Sequence, residues 1–79
     1  MSIEDAEKLI FSQRYSIDIE PADAFIEITT TEKKKIVKKR QKCSILAVGI
    51  SQNDEIMYLI EYNNKRFYKL KSEVYASQI

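Results

Sequence analysis

Seven of the ten residues from Lys33 to Lys42 are cations: Lys33, Lys34, Lys35, Lys38, Lys39, Arg40 and Lys42. Rows of ammonium and guanidinium groups track phosphates. Each phosphate they neutralise releases a counterion, so such a row binds nucleic acid in a salt-sensitive way. A second group stands nearer the end of the chain, where Tyr58, Tyr62 and Phe67 are interleaved with Lys65, Arg66 and Lys69. Aromatic rings on a sheet, flanked by cations, stack the bases of single strands. The same three rings are also candidate hot spots for a protein partner.

Other chemistry finds little support. With no histidine in the chain, proton transfer near neutral pH would fall to carboxylates or lysines with strongly displaced pKa values. Asp18, Glu20 and Asp23 cluster near a turn, yet they lack the spacing and the glycine of a calcium loop. No serine or threonine sits in a nucleophile elbow, and Gly49, the one glycine, cannot build a phosphate loop. A single thiol, Cys43, makes no internal disulfide and no metal set, and it reads as a small buried hydrophobe at the start of a strand. The expectation is a non-enzymatic chain with no cofactor and no metal site. It shows no leader segment. It also lacks the apolar run of about 18 residues that a membrane span needs. The chain is therefore expected in the cytoplasm, not in a membrane.

Charge is unevenly distributed. The stretch from Met1 to Glu32 carries eight acids against two bases, and the remainder eleven bases against four acids, although the net charge is only +1. Either the halves neutralise each other in the fold, or two faces present opposite charge to different partners.

The elements that must position these groups follow from periodicity. Ser2 is a good N-cap, and Glu4, Asp5 and Glu7 favour the positive end of a helix dipole. Ile3, Ala6, Leu9 and Ile10 form a stripe at helical spacing, with Phe11 beside it, so a helix is predicted from residue 3 to 14. The period then changes to two: Tyr15, Ile17 and Ile19 alternate with polar residues until Glu20-Pro21-Ala22-Asp23 breaks the strand. Residues 24–42 can be read as strands or as helix. The β-branched run Ile28-Thr29-Thr30-Thr31 favours a strand, whereas Pro21 at a first helical position would suit a short helix. We prefer the strand, returning through Thr31-Glu32-Lys33 into a charged edge strand from Lys34 to Gln41, where lysines also block wrong pairing between molecules.

Ser44–Ile50 reads as a strand buried on both sides, Ser51–Asp54 as a turn, Glu55–Tyr62 as a strand, and Asn63-Asn64 as a two-residue hairpin turn, since Asn tolerates positive φ. That turn sets a register: Tyr62 opposite Lys65, Glu61 opposite Arg66, Ile60 opposite Phe67, Leu59 opposite Tyr68 and Tyr58 opposite Lys69. One face then carries Met57, Leu59, Tyr68 and Leu70, the other Tyr58, Ile60, Tyr62 and Phe67. The helix stripe needs a surface to cover, and the Tyr58 face is the natural one. Ser72–Ala76 is expected to form a single helical turn.

The stretch CSILAVGISQNDEIMYLIEYNNKRFYKLKSEVYAS, from Cys43 to Ser77, resembles the small SH3-like barrels of the Tudor and KOW kind. In them, too, a hydrophobic strand, a variable loop, a strand ending in an aromatic, a tight turn and a final strand follow in order. It departs from them in lacking the glycine-rich first loop of KOW segments and in adding an acidic N-terminal helix. The resemblance implies a binding module and carries over no binding residue. The expected fold is thus mainly β (α+β), one domain over residues 1–79. In it an N-terminal helix is followed by a five- to six-stranded antiparallel sheet or SH3-like small barrel. The expected function is contact with DNA or RNA through Lys33, Lys34, Lys35, Lys38, Lys39, Arg40, Lys42, Lys65, Arg66 and Lys69. The alternative is a protein-protein adaptor or inhibitor of phage or mobile-element type, acting through the charged faces and the aromatic hairpin. A homodimer through an edge strand is compatible with both.

Overall fold

Helix α1 (Ile3–Gln13) begins where its cap allows: the Ser2 hydroxyl accepts from the Asp5 amide at 3.2 Å. It ends when Arg14 turns into the left-handed region, φ 61°, its amide bonded to the Ile10 carbonyl at 2.8 Å, a common way for a helix to close. All 79 residues are described by the computed structural model, in which α1 is followed by five strands. These are β1 (Ile17–Glu32), β2 (Lys35–Ile50), β3 (Ile56–Tyr62), β4 (Lys65–Leu70) and β5 (Val74–Tyr75), with a 3-10 turn at Lys71–Glu73 before the last. They form one antiparallel sheet in the order β4-β3-β2-β1-β5. No helix is long and apolar enough to cross a membrane.

The β3–β4 hairpin has the register that its turn dictates. Every pair from Tyr62–Lys65 to Tyr58–Lys69 stands as expected, with Asn63 and Asn64 at φ 53° and 63°. Elsewhere the strands run longer than the sequence suggests. Pro21 does not end its strand. It lies in an irregularity of β1 in which Ile19, Glu20 and Pro21 face the single residue Leu46 between the pairs Asp18–Ala47 and Ala22–Ile45. A bulge is where a strand tolerates a missing N–H. Leu46 is also the extra residue of β2 against β3, between Ile45–Ile60 and Ala47–Leu59. Both irregularities therefore meet at one level of the sheet. They shift side-chain alternation there, so that Cys43 and Ile45 above and Val48 below all enter the same core.

Element ends also depart from expectation. The β1–β2 turn is Lys33-Lys34, not Thr31-Glu32-Lys33, and both lysines have positive φ, 48° and 65°. The charged strand and the apolar strand after it are one continuous β2, so Cys43 lies inside a strand and not at its start. The expected helical turn near residue 72 is the 3-10 turn, after which Val74 and Tyr75 pair with Ile26 and Phe25.

One face of the sheet is covered by α1. Ala6 and Ile10 of the helix are fully buried against Ile17, Ile19, Ala24, Ile26, Cys43, Ile45, Val48, Tyr58 and Ile60. Leu9 and Phe11, at the margins of the helical stripe, remain largely exposed. The opposite face has no covering element. There the Tyr68 ring lies over Gly49, where an added Cβ would stand 3.2 Å from Cε1, and its hydroxyl donates to Ser16 Oγ at 3.3 Å.

Ile60 is wholly buried at the junction of β2, β3 and β4. Ile60→Ala is therefore expected to cost about 3 kcal/mol in urea unfolding. At the β1–β2 turn the effect runs the other way. Lys34→Gly relieves a left-handed non-glycine residue and is expected to stabilise by about 1 kcal/mol in the same assay.

Candidate nucleic-acid interface

Strands β1 and β2 outlast their neighbours. β5 reaches β1 only at Phe25 and Ile26, and β3 meets β2 no further up than Ser44. Beyond those pairs a two-stranded ribbon continues alone to the Lys33-Lys34 turn, and the molecule measures 48 × 25 × 22 Å. At about 3.4 Å per residue, the stretch Glu27–Glu32 of β1 extends roughly 20 Å. This arm carries six of the seven cations of the basic tract, and Lys42, opposite Phe25, lies at its base.

Register assigns them to faces. One face, continuous with the covered core, bears Ile28, Thr30, Glu32, Lys35, Val37, Lys39 and Gln41. The other bears Thr29, Thr31, Ile36, Lys38, Glu27 and Arg40, with Lys42 beside Phe25 at its base. Towards the body the cations have carboxylate partners: Lys42 with Asp23 at 3.5 Å, Lys38 with Glu27 at 3.8 Å, and Lys39 with Glu32 at 2.9 Å. Arg40 stacks on the Tyr75 ring, 3.7 Å from its centroid, and donates to the Ser77 carbonyl at 3.3 Å. A guanidinium over an aromatic face is attracted by the ring quadrupole. At the tip, Lys33, Lys34 and Lys35 have no carboxylate within 4 Å, and Ile36 beside them is 75% exposed. The opposite charges of the two sequence halves are thus partly spent on each other, and three of the cations left unpaired, Lys33, Lys34 and Lys35, stand together at the tip.

The remaining predicted cations divide. Lys65 and Arg66 follow the β3–β4 turn at the end of the sheet from which the arm springs, Arg66 bonded to Glu61 at 2.9 Å. Lys69 stands opposite Tyr58, at the level of Val48, and does not join the arm. The aromatic set is not an open platform. Tyr58 is 6% exposed beneath α1, and Tyr62 and Phe67 pack against the same core. Asp18, Glu20 and Asp23 do not converge into a ligand set. Nothing in the sequence marks Thr29, Thr31 and Ile36 as site residues. The β-branched run signals a strand, but only the register shows which side chains share the arm's face with Lys38.

No protein-family model matches this chain, and no curated protein or solved structure matches it either.

Helix α1 is tied to β3 by a part-buried polar contact. The Tyr58 hydroxyl donates to Glu7 Oε1, while Lys71 Nζ holds Oε2 of the same carboxylate at 3.0 Å. Burial first, then the hydrogen bond and the negative charge of Glu7, raise the Tyr58 pKa well above its ordinary value of 10.0. Cys43 is likewise raised by burial, which keeps it a thiol. A tyrosine that stays protonated longer in the folded chain than in the unfolded one stabilises fully below its unfolded pKa of 10.0. That contribution fades as the pH climbs towards the raised value. Tyr58→Phe is expected to cost about 1 kcal/mol near neutral pH. The gap between variant and parent should then narrow in unfolding curves taken at successive pH values above 10.0.

Proposed function

We propose that this chain is a non-enzymatic, cytoplasmic nucleic-acid-binding module of SH3-like build that grips phosphates with the basic β1–β2 arm. The succession of β2's apolar half, the Ser51–Glu55 loop, β3, the Asn63-Asn64 turn, β4 and a 3-10 turn supports the SH3-like part of the reading. The observation that carries the function is the bare tip: three adjacent lysines, unpaired, at the end of an arm whose inner cations are balanced. Unpaired ammonium groups held apart from the body's acids are free to exchange counterions for phosphates.

The test is a salt titration of binding to short DNA and RNA by fluorescence anisotropy. Affinity should fall steeply with salt, and Lys33→Glu, Lys34→Glu and Lys35→Glu together should abolish it. Charge reversal at Lys38, Lys39 and Lys42, whose exposed pairs are exchangeable, should weaken binding by a similar factor for every sequence tried. Absence of any binding at about 50 mM salt refutes the reading, because phosphate contacts are strongest there.

A second reading, a protein-protein adaptor or inhibitor of phage or mobile-element type, draws on the uncovered face of the sheet. Tyr68 is 47% exposed there, beside the half-buried Met57, Leu59 and Leu70. The free edge of β4 would also allow pairing between two copies. Light scattering that gives a dimer mass, reduced to monomer by Tyr68→Asp, would favour this reading.

A further inference from the structure

Resting on that reading, we propose that the nucleic acid is duplex DNA and that the β1–β2 arm is laid into its major groove, with the Thr29–Thr31–Ile36 face towards the base edges. Size comes first. Two strands lie about 4.8 Å apart, and a ribbon with its side chains is roughly 10 Å across. The B-form major groove, about 12 Å wide and about 8.5 Å deep, admits such a ribbon. The arm meets the other requirement for entry, which is to stand clear of the body. It passes the last β5 pair at Ile26 and the last β3 pair at Ser44, leaving both edges free.

Composition then narrows the ligand. Single strands are held by stacking on aromatic rings, yet no residue between Ile26 and Cys43 is aromatic, Tyr58 is buried, and Tyr62 and Phe67 are packed against the core. A-form RNA offers a major groove too deep and narrow for side chains to read. The two faces of the arm also differ in kind. Glu32 lies on the face with Lys35 and Lys39, so a carboxylate would oppose the DNA if that side were turned inward. The opposite face presents Thr29, Thr31, Ile36 and Lys38 before the first acid, Glu27, is reached. Short β-branched side chains of this sort meet thymine methyl groups and accept or donate to base edges, while ammonium groups at the turn reach the phosphates on either wall.

The turn itself argues for the lysines. The chain closes its other two-residue hairpin with Asn63-Asn64, residues that tolerate positive φ. Lys33 and Lys34 take up positive φ with no such chemistry. Charge at the tip is kept in a place where the backbone alone would favour Asn or Gly.

The experiment uses the full chain and six probes: a short DNA duplex, the RNA duplex of the same sequence, each of the two DNA single strands, the DNA duplex with glucosylated hydroxymethylcytosine filling its major groove, and phosphatidylserine vesicles. The DNA duplex should bind about tenfold more tightly than the RNA duplex or the single strands, and glucosylation should remove that advantage. Netropsin, a minor-groove ligand, should not compete. Ile36→Ser should weaken duplex DNA about threefold without changing the salt slope, since no phosphate contact is lost. Replacing residues 30–37 by Asn-Gly keeps the Thr29–Lys38 pair and the core, which the thermal midpoint checks, and should abolish the DNA preference. Equal binding of the DNA and RNA duplexes, tighter single-strand binding, or competition by netropsin overturns the groove assignment while leaving phosphate binding standing. Vesicle binding that Ile36→Ser abolishes would assign the tip to a membrane surface and overturn it too. No binding to any nucleic acid overturns both.

Discussion

One short helix must cover one long sheet, and the reach of that helix decides what the rest of the chain is allowed to be. At a rise of about 1.5 Å per residue, α1 spans about 16 Å. The strands β1 and β2, of 16 residues each, run along most of the molecule's 48 Å length. Only the lower part of β1 and β2 can be sheltered. There the inward residues are Ile17, Ile19, Ala24, Ile26, Cys43, Ile45 and Val48, all buried. Past Ile28 the inward positions of β1 become Thr30 and Glu32, because an apolar ribbon without a cover would be a template for aggregation. The change from core strand to charged arm thus marks where the helix ends, and needs no separate domain or linker.

Continuity is what makes the arm stiff enough to matter. A free two-stranded hairpin is marginal in water, but here both strands run without interruption into a five-stranded sheet. The paired irregularities at Leu46 let this happen. By absorbing Pro21 and shifting alternation on both sides of β2 at one level, they keep each half of the strand correctly faced. On the uncovered face the Tyr68 ring lies close over Gly49, and its bond to Ser16 anchors the segment between α1 and β1. Arg14 and Asp54, each at positive φ and bonded to each other at 2.6 Å, tie the end of α1 to the β2–β3 turn. The Tyr58–Glu7–Lys71 contact does the same for the middle of α1.

Much of the fold is legible in the sequence because it rests on local chemistry. Ser2 and the acids after it announce α1, and Asn63-Asn64 fixes a hairpin whose every pair is observed. What escapes reading is long-range. Pro21 is a strand breaker by itself. It is tolerated only because Leu46 stands opposite, a fact no window of β1 contains. β5 is two residues long, shorter than any periodicity can register, and exists because β1 offers an edge at Phe25 and Ile26. The turn at Lys33-Lys34 is hidden since lysine carries no turn signal. As for the site, the basic tract is plain in the sequence, but its division into a balanced base and a bare tip depends on Asp23, Glu27 and Glu32 arriving from the partner strand. Tyr58, Tyr62 and Phe67 could form a platform or a core; the helix stripe, which needs a surface, favours the core, and α1 covers that face.

The charge gradient along the arm bears on how such an element can bind without being dismantled. The pairs of Lys38, Lys39 and Lys42 are solvent-exposed, with side chains more than half accessible on the lysine side. Contacts of that kind contribute between nothing and about 1 kcal/mol each, and they are screened at physiological salt. They cost little to surrender, so a phosphate can replace a carboxylate as a lysine's partner with the ribbon's backbone ladder untouched. Arg40 differs: stacked on Tyr75 and bonded to Ser77, it holds the C-terminal segment against the base of the arm, and moving it would loosen β5. The exchangeable cations therefore run outward from Lys42 to the tip, and the one cation with a structural duty sits among them on the same face as Lys38. An anionic surface meeting that face finds its strongest attraction at the unpaired end and a fixed, already committed guanidinium near the body, which orients the arm tip-first.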